Sequence, residues 1–538
     1  MLGADALVKC LEEEKVDVVF GYPGVAICPF YNSILSSDIN TVLIRTEQNA
    51  AHAASGLARS TGKVGVCAVT SGPGATNVIT GIATAFADSI PLVVITGQVD
   101  SGLLGSDVFQ EADITGAVES FVKYSYLVKD ADEIPRIVKE AFHIAATGRP
   151  GPVLIDVPID VQNATVGKFK YPENIALRTY KPTVKGHAVQ IQKAIKAIER
   201  AKRPMICAGG GVHLAGAREA LRDFSHKYSL PVVSTMMGIG AMPTEDTMYY
   251  GMVGNNGKPY ANKAMNEADL LIMIGARVAD RAVNQPDIIF ENKTLIHIDV
   301  DPAEIGKNAT ASIPIVGDAK NILAQFEESE IKCDTSDWIS TLNEYKVTYV
   351  PKRNPNPKYV DPCEFITQLT DKMDKDGIYV ADVGQNQIWS CGYAIVREGM
   401  FFTSGGMGTM GYSIPAAMGA KYACPDKQVV AVCGDGSFQM SLMELATMRQ
   451  HNIQGKIIVM NNGYLGMVRE YQHYTYKDNL SVVDLTGSPD LSKIAEAYGF
   501  KYLCLENMDK SLDIIDEFLK SEDSVLLELN IDPLDLVK

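Results

Sequence analysis

The chain has 538 residues, of which 46% are hydrophobic and 21% charged, and its formal charge at pH 7 is −16. This length exceeds what one hydrophobic core usually organises, so about three domains are expected. The acidic balance argues against nucleic acid or an anionic membrane as the main partner, because both need a basic face. Ten scattered cysteines without metal or disulfide spacing, and no apolar run of ~18 residues, predict a cytoplasmic protein without a membrane span.

Short β-branched runs alternate with helical stretches, which is typical of α/β domains with parallel sheets. The first predicted block, 1–165, has strands expected at 17–22, 41–47, 64–70, 91–97 and 152–158. The second block, 189–330, has strands expected at 204–209, 231–235, 270–276 and 294–300. Polar, proline-containing linkers are predicted at 163–188 and 352–362. The third block, 363–538, starts with a strand expected at 377–384, so the sequence predicts three doubly wound parallel-sheet domains.

The third block contains the strongest local pattern. A predicted strand at 429–433 leads into a tight turn, Gly434-Asp435-Gly436, and a helix is expected over about 438–451. The next predicted strand, 456–460, ends before Asn461-Asn462. This is a βαβ unit, whose crossover is right-handed in nearly all cases. Asp435 and Asn462 are therefore expected at one carboxyl edge of the sheet, where α/β proteins bind ligands.

A carboxylate and an amide oxygen side by side suit Mg²⁺, which takes few protein oxygens and completes its octahedron with water and phosphate oxygens. The glycines let the backbone approach a diphosphate, and the N-terminus of the following helix favours its charge. Either half of the pattern alone is better explained as an ordinary turn. The two halves together favour a metal-diphosphate site.

The pattern resembles the GDG-to-NN signature of thiamine-diphosphate enzymes. The resemblance implies that Asp435, Asn462 and the backbone carbonyl of Tyr464 bind magnesium, and that Gly436 and Ser437 lie against the diphosphate. It also implies a catalytic glutamate against the cofactor pyrimidine. Glu47 matches this residue, at the end of the predicted strand 41–47 and just before the helical NAAHAA. On local sequence alone, Glu47 is better explained as a first-turn acid stabilised by the helix dipole, but together with the metal motif the catalytic role is favoured.

Further motifs resemble the acetolactate synthase catalytic subunits over nearly the whole chain. They include VFGYPG (19–24), TSGPGATN (70–77), DSIPLVVITGQV (88–99), TSGGMGTMGYSIPAA (403–417) and GYLGMVREYQ (463–472). The resemblance implies that pyruvate is decarboxylated and that its two-carbon unit is joined to a second 2-oxo acid, pyruvate or 2-oxobutyrate. It further implies a homodimer or homotetramer with Glu47 facing the partner's cofactor, and leaves a small regulatory subunit open.

The resemblance assigns site residues position by position. Gln98, Phe109 and Gln110 would lie on the substrate side of the cofactor, with Gly24 and Val25 near the reacting carbon. Gly408 would accept a hydrogen bond from the aminopyrimidine, and Met410 would lie under the cofactor rings. The diphosphate would lie against Gln385 and Asn386. A structural FAD is implied in the middle block, at Gly209, Gly210, Gly211, Thr235, Met236, Arg277, Asp299, Glu304 and Asp318.

Several positions depart from the family pattern. Val25 replaces a glycine, Ile159 a lysine, Tyr471 a tryptophan and Asn386 a histidine. In the middle block, Asn255-Asn256 replaces Met-His and Val278-Ala279 replaces Phe-Asp. Tyr471 bears on the preference for 2-oxobutyrate over pyruvate, whereas Val25 bears on the pocket and Ile159 on the substrate entrance. The second set leaves a nucleotide fold that no longer holds FAD as the alternative.

Three other functions remain open. A 2-oxo acid decarboxylase or acyl-transferring lyase of the same superfamily would keep Glu47, Asp435 and Asn462 and change the acceptor pocket. A regulatory homologue would bind the cofactor without turnover. Gly406 to Gly411 also fits GxGxxG, so a nicotinamide dehydrogenase is a formal alternative, although only the short FFTS precedes the motif and no clear βαβ unit with an acidic strand end follows.

Overall fold

The computed structural model describes residues 1–175, 177–283, 289–351 and 353–537. These residues form three six-stranded sheets, and each lies within one predicted block. All the paired strands run parallel, with helices flanking the sheets, so the predicted α/β class is confirmed. Ala176 of the first linker, residues 284–288 of the second block, Lys352 of the second linker and Lys538 of the third block lie outside the described residues.

The first sheet has the order β2-β1-β3-β4-β6-β5. Its strands are β1 (Val18–Tyr22), β2 (Asn40–Leu43), β3 (Gly65–Val69), β4 (Leu92–Gln98), β5 (Tyr124–Leu127) and β6 (Pro152–Pro158). The helices are Gly3–Glu13, Cys28–Ile34, Glu47–Thr61, Pro73–Asn77, Ile79–Asp88, Ile114–Ala117, Ile134–Ala146 and Ile159–Asn163. The predicted strand 41–47 is too long, because β2 ends at Leu43 and Glu47 already begins a helix with Thr46 at its N-cap. The sequence pattern missed β5, an edge strand without a fully buried face.

The second sheet has the order β12-β11-β10-β7-β8-β9. Its strands are β7 (Pro204–Ala208), β8 (Val232–Ser234), β9 (Tyr249–Met252), β10 (Leu270–Ile274), β11 (Thr294–Asp299) and β12 (Ile313–Val316). The helices described here are Ala188–Arg200, Gly211–Leu214, Arg218–Lys227, Pro259–Glu267, Ala319–Glu327 and Ser336–Thr348. The edge strands β9 and β12 were not predicted; both are four residues long.

The third sheet has the order β14-β13-β15-β16-β18-β17. Its strands are β13 (Ile378–Ala381), β14 (Met400–Phe402), β15 (Val429–Gly434), β16 (Lys456–Asn461), β17 (Lys501–Leu505) and β18 (Val525–Asn530). The helices are Pro362–Lys372, Gln385–Tyr393, Ser413–Ala423, Asp435–Ser441, Glu444–Gln450, Gly466–Tyr476, Leu491–Tyr498 and Ser511–Lys520. None of the helices in the described part of the chain is long and apolar enough to cross a membrane.

The first and third blocks meet through two small-residue helices, Glu47–Thr61 and Ser413–Ala423. A Cβ added at Gly56 would overlap the Ala416 carbonyl oxygen, and one added at Gly419 would overlap the Ala53 carbonyl oxygen. Each helix therefore provides one glycine whose missing side chain lets the other backbone approach. One buried apolar cluster runs across this contact and joins the two sheets.

Gly56→Ala is expected to destabilise the protein by about 1–3 kcal/mol, because the added methyl group must push two packed backbones apart. Urea unfolding measures this change. Ser60→Ala, on the same helix but half-buried, is the control and should stay within about 0.5 kcal/mol of the wild type. Equal stabilities of the two variants would contradict the close helix contact.

Candidate functional site

The predicted βαβ unit is present, with two corrections to its local geometry. β15 and β16 are parallel neighbours, with Gly434 opposite Met460. No tight turn follows β15: Gly434 is extended, and the helix Asp435–Ser441 begins at once. The predicted helix 438–451 is in fact two helices that are interrupted before Glu444. An acidic first residue suits a helix N-terminus, which explains the direct transition from strand to helix.

Asp435 and Asn462 lie side by side at the carboxyl edge of the third sheet, as predicted. Asp435 is 4% exposed, and its Oδ2 accepts a hydrogen bond from the Gly463 amide at 3.1 Å. The Asn462 Oδ1 accepts from the Tyr464 amide at 3.0 Å. Burial raises the pKa of the Asp435 carboxyl to about 6. A buried carboxylate beside an amide oxygen fits a hard divalent cation, which would compensate the burial of the charge.

A cavity of about 1260 Å³ opens in front of these two residues. Its wall combines the carboxyl edge of the third sheet with the carboxyl edge of the second. Of the residues predicted for the thiamine cofactor, seven besides Asp435 and Asn462 line it: Gln385, Asn386, Gly408, Met410, Gly436, Ser437 and Tyr464. A Cβ at Gly436 would lie 2.9 Å from Leu465 Cδ2, so the Leu465 side chain would have to shift to admit it. Because Gly436 has no side chain, its backbone borders the cavity directly.

Gln385 and Asn386 begin the helix that follows β13. The Gln385 side chain accepts from Asn462 Nδ2 at 3.1 Å and donates to Glu470 and to the Asp535 carbonyl, each at 3.0 Å. Asn386 donates to the carbonyls of Asp382 and Val432. Asn386 thus ties β13 to β15, and Gln385 directly orients one of the two residues suited to a metal.

The loop 403–412 carries Gly408 and Met410 into the cavity. Gly408 has φ +71°, and a Cβ there would meet nothing within 4 Å, so the loop is open at this point. Met410 also lines the cavity, and its Cε lies 3.6 Å from the position of a Cβ on Gly436. An exposed backbone and a flexible thioether on one loop can accept and support a planar ring.

The surroundings of this loop argue against a dinucleotide-binding site at the GxGxxG motif. β14 precedes GxGxxG, and β15 follows the next helix and ends beside Asp435, so the expectation that no such unit follows is wrong. However, β13 lies between β14 and β15, so the two strands that flank the motif are not neighbours in the sheet. The amides of Gly405 and Gly406 donate to the Asp88 carboxylate at 3.2 and 2.7 Å, and an anionic side chain in that place opposes a pyrophosphate.

Glu47 is buried at the start of its helix, where its Oε2 accepts from Asn77 Nδ2 at 3.0 Å. Its Oε1 lies 3.4 Å from the position of a Cβ on Gly74, so the TSGPGATN loop surrounds the carboxylate. Glu47 does not line the cavity that contains Asp435. A single chain therefore brings Asp435 and Asn462 together but leaves the Glu47 carboxylate outside their cavity.

The other predicted residues of the first block also lie outside that cavity. Gly24 packs against Thr70, whose side-chain atoms would lie 2.5 Å from an added Cβ. Val25 is 75% exposed and Phe109 is 87% exposed. Gln110 has φ +59°, uncommon for a residue with a side chain, and it packs on Gly72. These residues form an exposed rim near the Glu47 loop, except for Gln98.

Gln98 is buried and fully hydrogen bonded. Its Nε2 donates to Asp156 Oδ2 at 3.0 Å and to the Ala112 carbonyl at 2.8 Å, while its Oε1 accepts from the Val99 amide. Thr96 donates to the other Asp156 oxygen at 2.6 Å. Gln98 thus joins Ala112, two residues after Gln110, to Asp156 in β6 and so helps to position the segment around Gln110.

Asp156 should make the stability of the protein depend on pH. Burial raises the pKa of its carboxyl from 3.8 to about 7. The folded chain therefore keeps a proton that the unfolded chain has already lost above pH 4, and the stabilisation disappears as the pH rises to 7. Between pH 5 and 8 the wild type should lose roughly 3 kcal/mol more unfolding free energy than Asp156→Asn. Urea titrations across this range test the difference, and parallel curves would contradict it.

The residues predicted for FAD occupy the other half of the cavity, except Gly209. Gly209 and Gly211 pack directly against Gly275, where an added Cβ at either position would overlap backbone atoms. Burial raises the pKa of the Asp299 carboxyl to about 6. Glu304 forms an ion pair with Arg149 at 2.8 Å, and Asp318 caps the following helix through the Asn321 amide at 3.1 Å.

The departures from the family pattern lie in different surroundings. Asn256 and Ala279 line the cavity, whereas Asn255 is exposed and Val278 is buried. Tyr471 is 59% exposed on the helix Gly466–Tyr476. Ile159 begins the short helix after β6.

Among the cavity residues that the sequence analysis did not assign to the site, four are notable. Asp88 and Arg149 come from the first block, and Gln387 and Trp389 from the helix after β13. Asp88 begins the quoted motif DSIPLVVITGQV and Arg149 lies in TGRPGP, but a charged residue at the end of a helix or in a loop is usually a solvated one.

Family comparisons agree with this arrangement. The "Thiamine pyrophosphate enzyme, N-terminal TPP binding domain" matches residues 1–117, the central domain matches 191–326, and the "C-terminal TPP binding domain" matches 382–529. The matched segments include Glu47 in the first and both Asp435 and Asn462 in the third. These matches define a thiamine pyrophosphate enzyme.

Curated relatives narrow the class. The chain is 43% identical to the "Probable acetolactate synthase large subunit" of Methanocaldococcus jannaschii over 99% of this chain and 92% of that one. It is 42% identical to the acetolactate synthase large subunit of Haemophilus influenzae, over 98% and 94%. The Corynebacterium glutamicum relative of the same name is 44% identical, over 93% and 82%. The chain therefore belongs to the acetolactate synthase large-subunit family.

Proposed function

We propose that this chain decarboxylates pyruvate and joins the remaining two-carbon unit to a second 2-oxo acid, pyruvate or 2-oxobutyrate, as in branched-chain amino acid biosynthesis. The observation that carries the proposal is the shared cavity of Asp435, Asn462, Gly408 and Met410, together with a buried Glu47 that lies outside this cavity. The three blocks 1–165, 189–330 and 363–538 would then be the pyrimidine, flavin and diphosphate domains.

Thiamine diphosphate, when bound, supplies an acidic carbon that adds to the keto group of a 2-oxo acid and accepts the electrons released by decarboxylation. Asp435, Asn462 and the Tyr464 carbonyl would hold Mg²⁺ against its diphosphate, with Gln385 fixing the orientation of Asn462. Gly408 would accept a hydrogen bond from the aminopyrimidine, and Met410 would support the rings. Glu47 would exchange a proton with the pyrimidine nitrogen, since a buried carboxylate can hold and return that proton.

The position of Glu47 supports a homodimer or larger assembly in which this carboxylate serves the cavity of a partner chain. Gly24, Val25, Phe109 and Gln110 would then border the substrate on the same face as Glu47. A cytoplasmic location and a small regulatory subunit also belong to this proposal, the latter because the relatives are named large subunits.

FAD is proposed for the second half of the cavity, where Asp299, Glu304 and Asp318 offer acceptors and Gly210 and Gly211 border the cavity. Its role would be structural. The absorption spectrum of flavin released from the purified protein by acid tests this assignment without reference to activity.

The test of the function is turnover of pyruvate with added thiamine diphosphate and Mg²⁺, with acetolactate and acetaldehyde separated. Acetolactate as the main product is expected. Acetaldehyde alone would instead support a simple 2-oxo acid decarboxylase, the candidate that Val25 and Tyr471 favour because both change the acceptor side of the site.

A further inference from the structure

Two buried carboxylates from different blocks hold the two ends of the loop that carries Gly408 and Met410. At the first end, Asp88 accepts from the amides of Gly405 and Gly406. At the second end, Asp382 accepts from the amides of Gly411 and Ser413 at 2.9 and 2.8 Å. Asp382 follows β13 in the third block, whereas Asp88 ends the helix Ile79–Asp88 of the first block.

The middle of the loop is also tied to the first block. Thr84, one turn before Asp88, shares a 2.7 Å hydrogen bond with Thr409. Thr84 Oγ1 donates to the Thr80 carbonyl, so Thr409 is the donor in this pair. The Thr409 amide donates to Ser404 Oγ at 3.0 Å, which closes the loop on itself. Gly408 is thus left as an open position between fixed neighbours.

The surroundings of Asp88 hold its side chain in place. Both Asp88 and Asp382 are nearly inaccessible to solvent, at 8% and 1% exposure. Burial raises the pKa of the Asp88 carboxyl, while the charge of Arg59 and the two amide hydrogen bonds oppose this rise. Arg59 itself donates to the Thr403 carbonyl at 2.8 Å. Acid, arginine and loop backbone therefore form one network across the contact of the first and third blocks.

We infer that Asp88 is a positioning residue that fixes the Gly408–Met410 loop for the thiamine cofactor of its own chain. This inference rests on the proposed function. Each first block would then serve two cofactors: its helix Ile79–Asp88 would shape the loop in its own chain, and its Glu47 would act in the cavity of the partner chain. Loss of the two hydrogen bonds that Asp88 accepts should loosen the loop and weaken cofactor binding, although Asp88 ends a helix and does not lie at a sheet edge.

The test is the dissociation constant of thiamine diphosphate at saturating Mg²⁺, measured by calorimetry on the full-length protein. In Asp88→Asn one of the two backbone N–H groups faces the amide nitrogen, so one hydrogen bond is lost. The affinity of this variant for thiamine diphosphate should fall about tenfold to a hundredfold. Thr84→Val is nearly isosteric and changes no charge; its affinity for thiamine diphosphate should fall about threefold to tenfold. This second variant keeps the test possible if Asp88→Asn does not fold. Hydrogen exchange of segment 403–413 should accelerate in both variants.

Asp269→Asn is the matched control, because Asp269 also accepts from two consecutive amides, those of Lys202 and Arg203, away from the cavity. It should lower the stability without changing the cofactor affinity. Affinities of Asp88→Asn and Thr84→Val within twofold of the wild type would overturn the inference. Failure of the proposed function looks different: the wild type would bind the cofactor without forming acetolactate, and the effect of Asp88→Asn on affinity would remain.

Discussion

Glu47→Gln is expected to lower acetolactate formation roughly 10²–10⁴-fold, the usual contribution of a positioned acid-base group. The amide has the same shape and can still contact Asn77, but it cannot exchange a proton with the cofactor pyrimidine. Steady-state turnover and calorimetric binding of thiamine diphosphate measure the two effects separately. Binding should change little.

Glu364→Gln is the control for this experiment, since Glu364 is also in the first turn of a helix but is exposed and away from the cavity. Its turnover should match that of the wild type. If Glu47→Gln kept more than a tenth of the wild-type turnover, the catalytic role would be contradicted, and stabilisation of its helix would be the only role left for Glu47.

Asp435→Ala is expected to weaken thiamine diphosphate binding in Mg²⁺ by roughly a hundredfold or more, because the buried carboxylate beside Asn462 disappears. The binding that remains should no longer respond to EDTA, whereas the wild type should lose its cofactor on chelation. Calorimetric titrations with and without Mg²⁺ measure both. Asp426→Ala, exposed in the same block, should behave as the wild type.

The same two variants test whether the site lies between chains. If Glu47 acts on a partner's cofactor, a mixed dimer of Glu47→Gln and Asp435→Ala contains one site with both residues intact. Mixing the two inactive proteins under conditions of subunit exchange should then restore part of the activity. No recovery in a verified mixed dimer would place both residues in one chain's site.

In the third block the sequence predicted the carboxyl ends of β15 and β16 best, because both strands are buried apolar runs whose ends carry the chemistry. The strands β14, β17 and β18 of the same block were not predicted. The register of β15 and β16 brings Asp435 and Asn462 together, as the βαβ rule requires. Edge strands such as β5 and β12 were missed, since a half-exposed edge lacks the continuous apolar run of a central strand. The helix start at Asp435 was also missed, because glycines on both sides of it suggest a turn.

The role of Asp88 could not be predicted from its own surroundings. Its partners, Gly405 and Gly406, are more than 300 positions away along the chain. Only the packing of the first block against the third brings them within hydrogen-bonding distance of Asp88. The same holds for Arg149 and Glu304, which join the first and second blocks. Local periodicity predicts elements, whereas contacts between blocks depend on the assembled chain.

The paired glycines Gly56 and Gly419 set a rule for recombining this enzyme with its relatives. Each glycine accommodates the carbonyl of a residue in the other helix, Ala416 for one and Ala53 for the other. A chimera that takes the first block from one parent and the third block from another keeps a tight fit only if both parents have small residues at both positions. The two outer blocks should therefore be exchanged together, with the crossovers placed in the segments that flank the middle block.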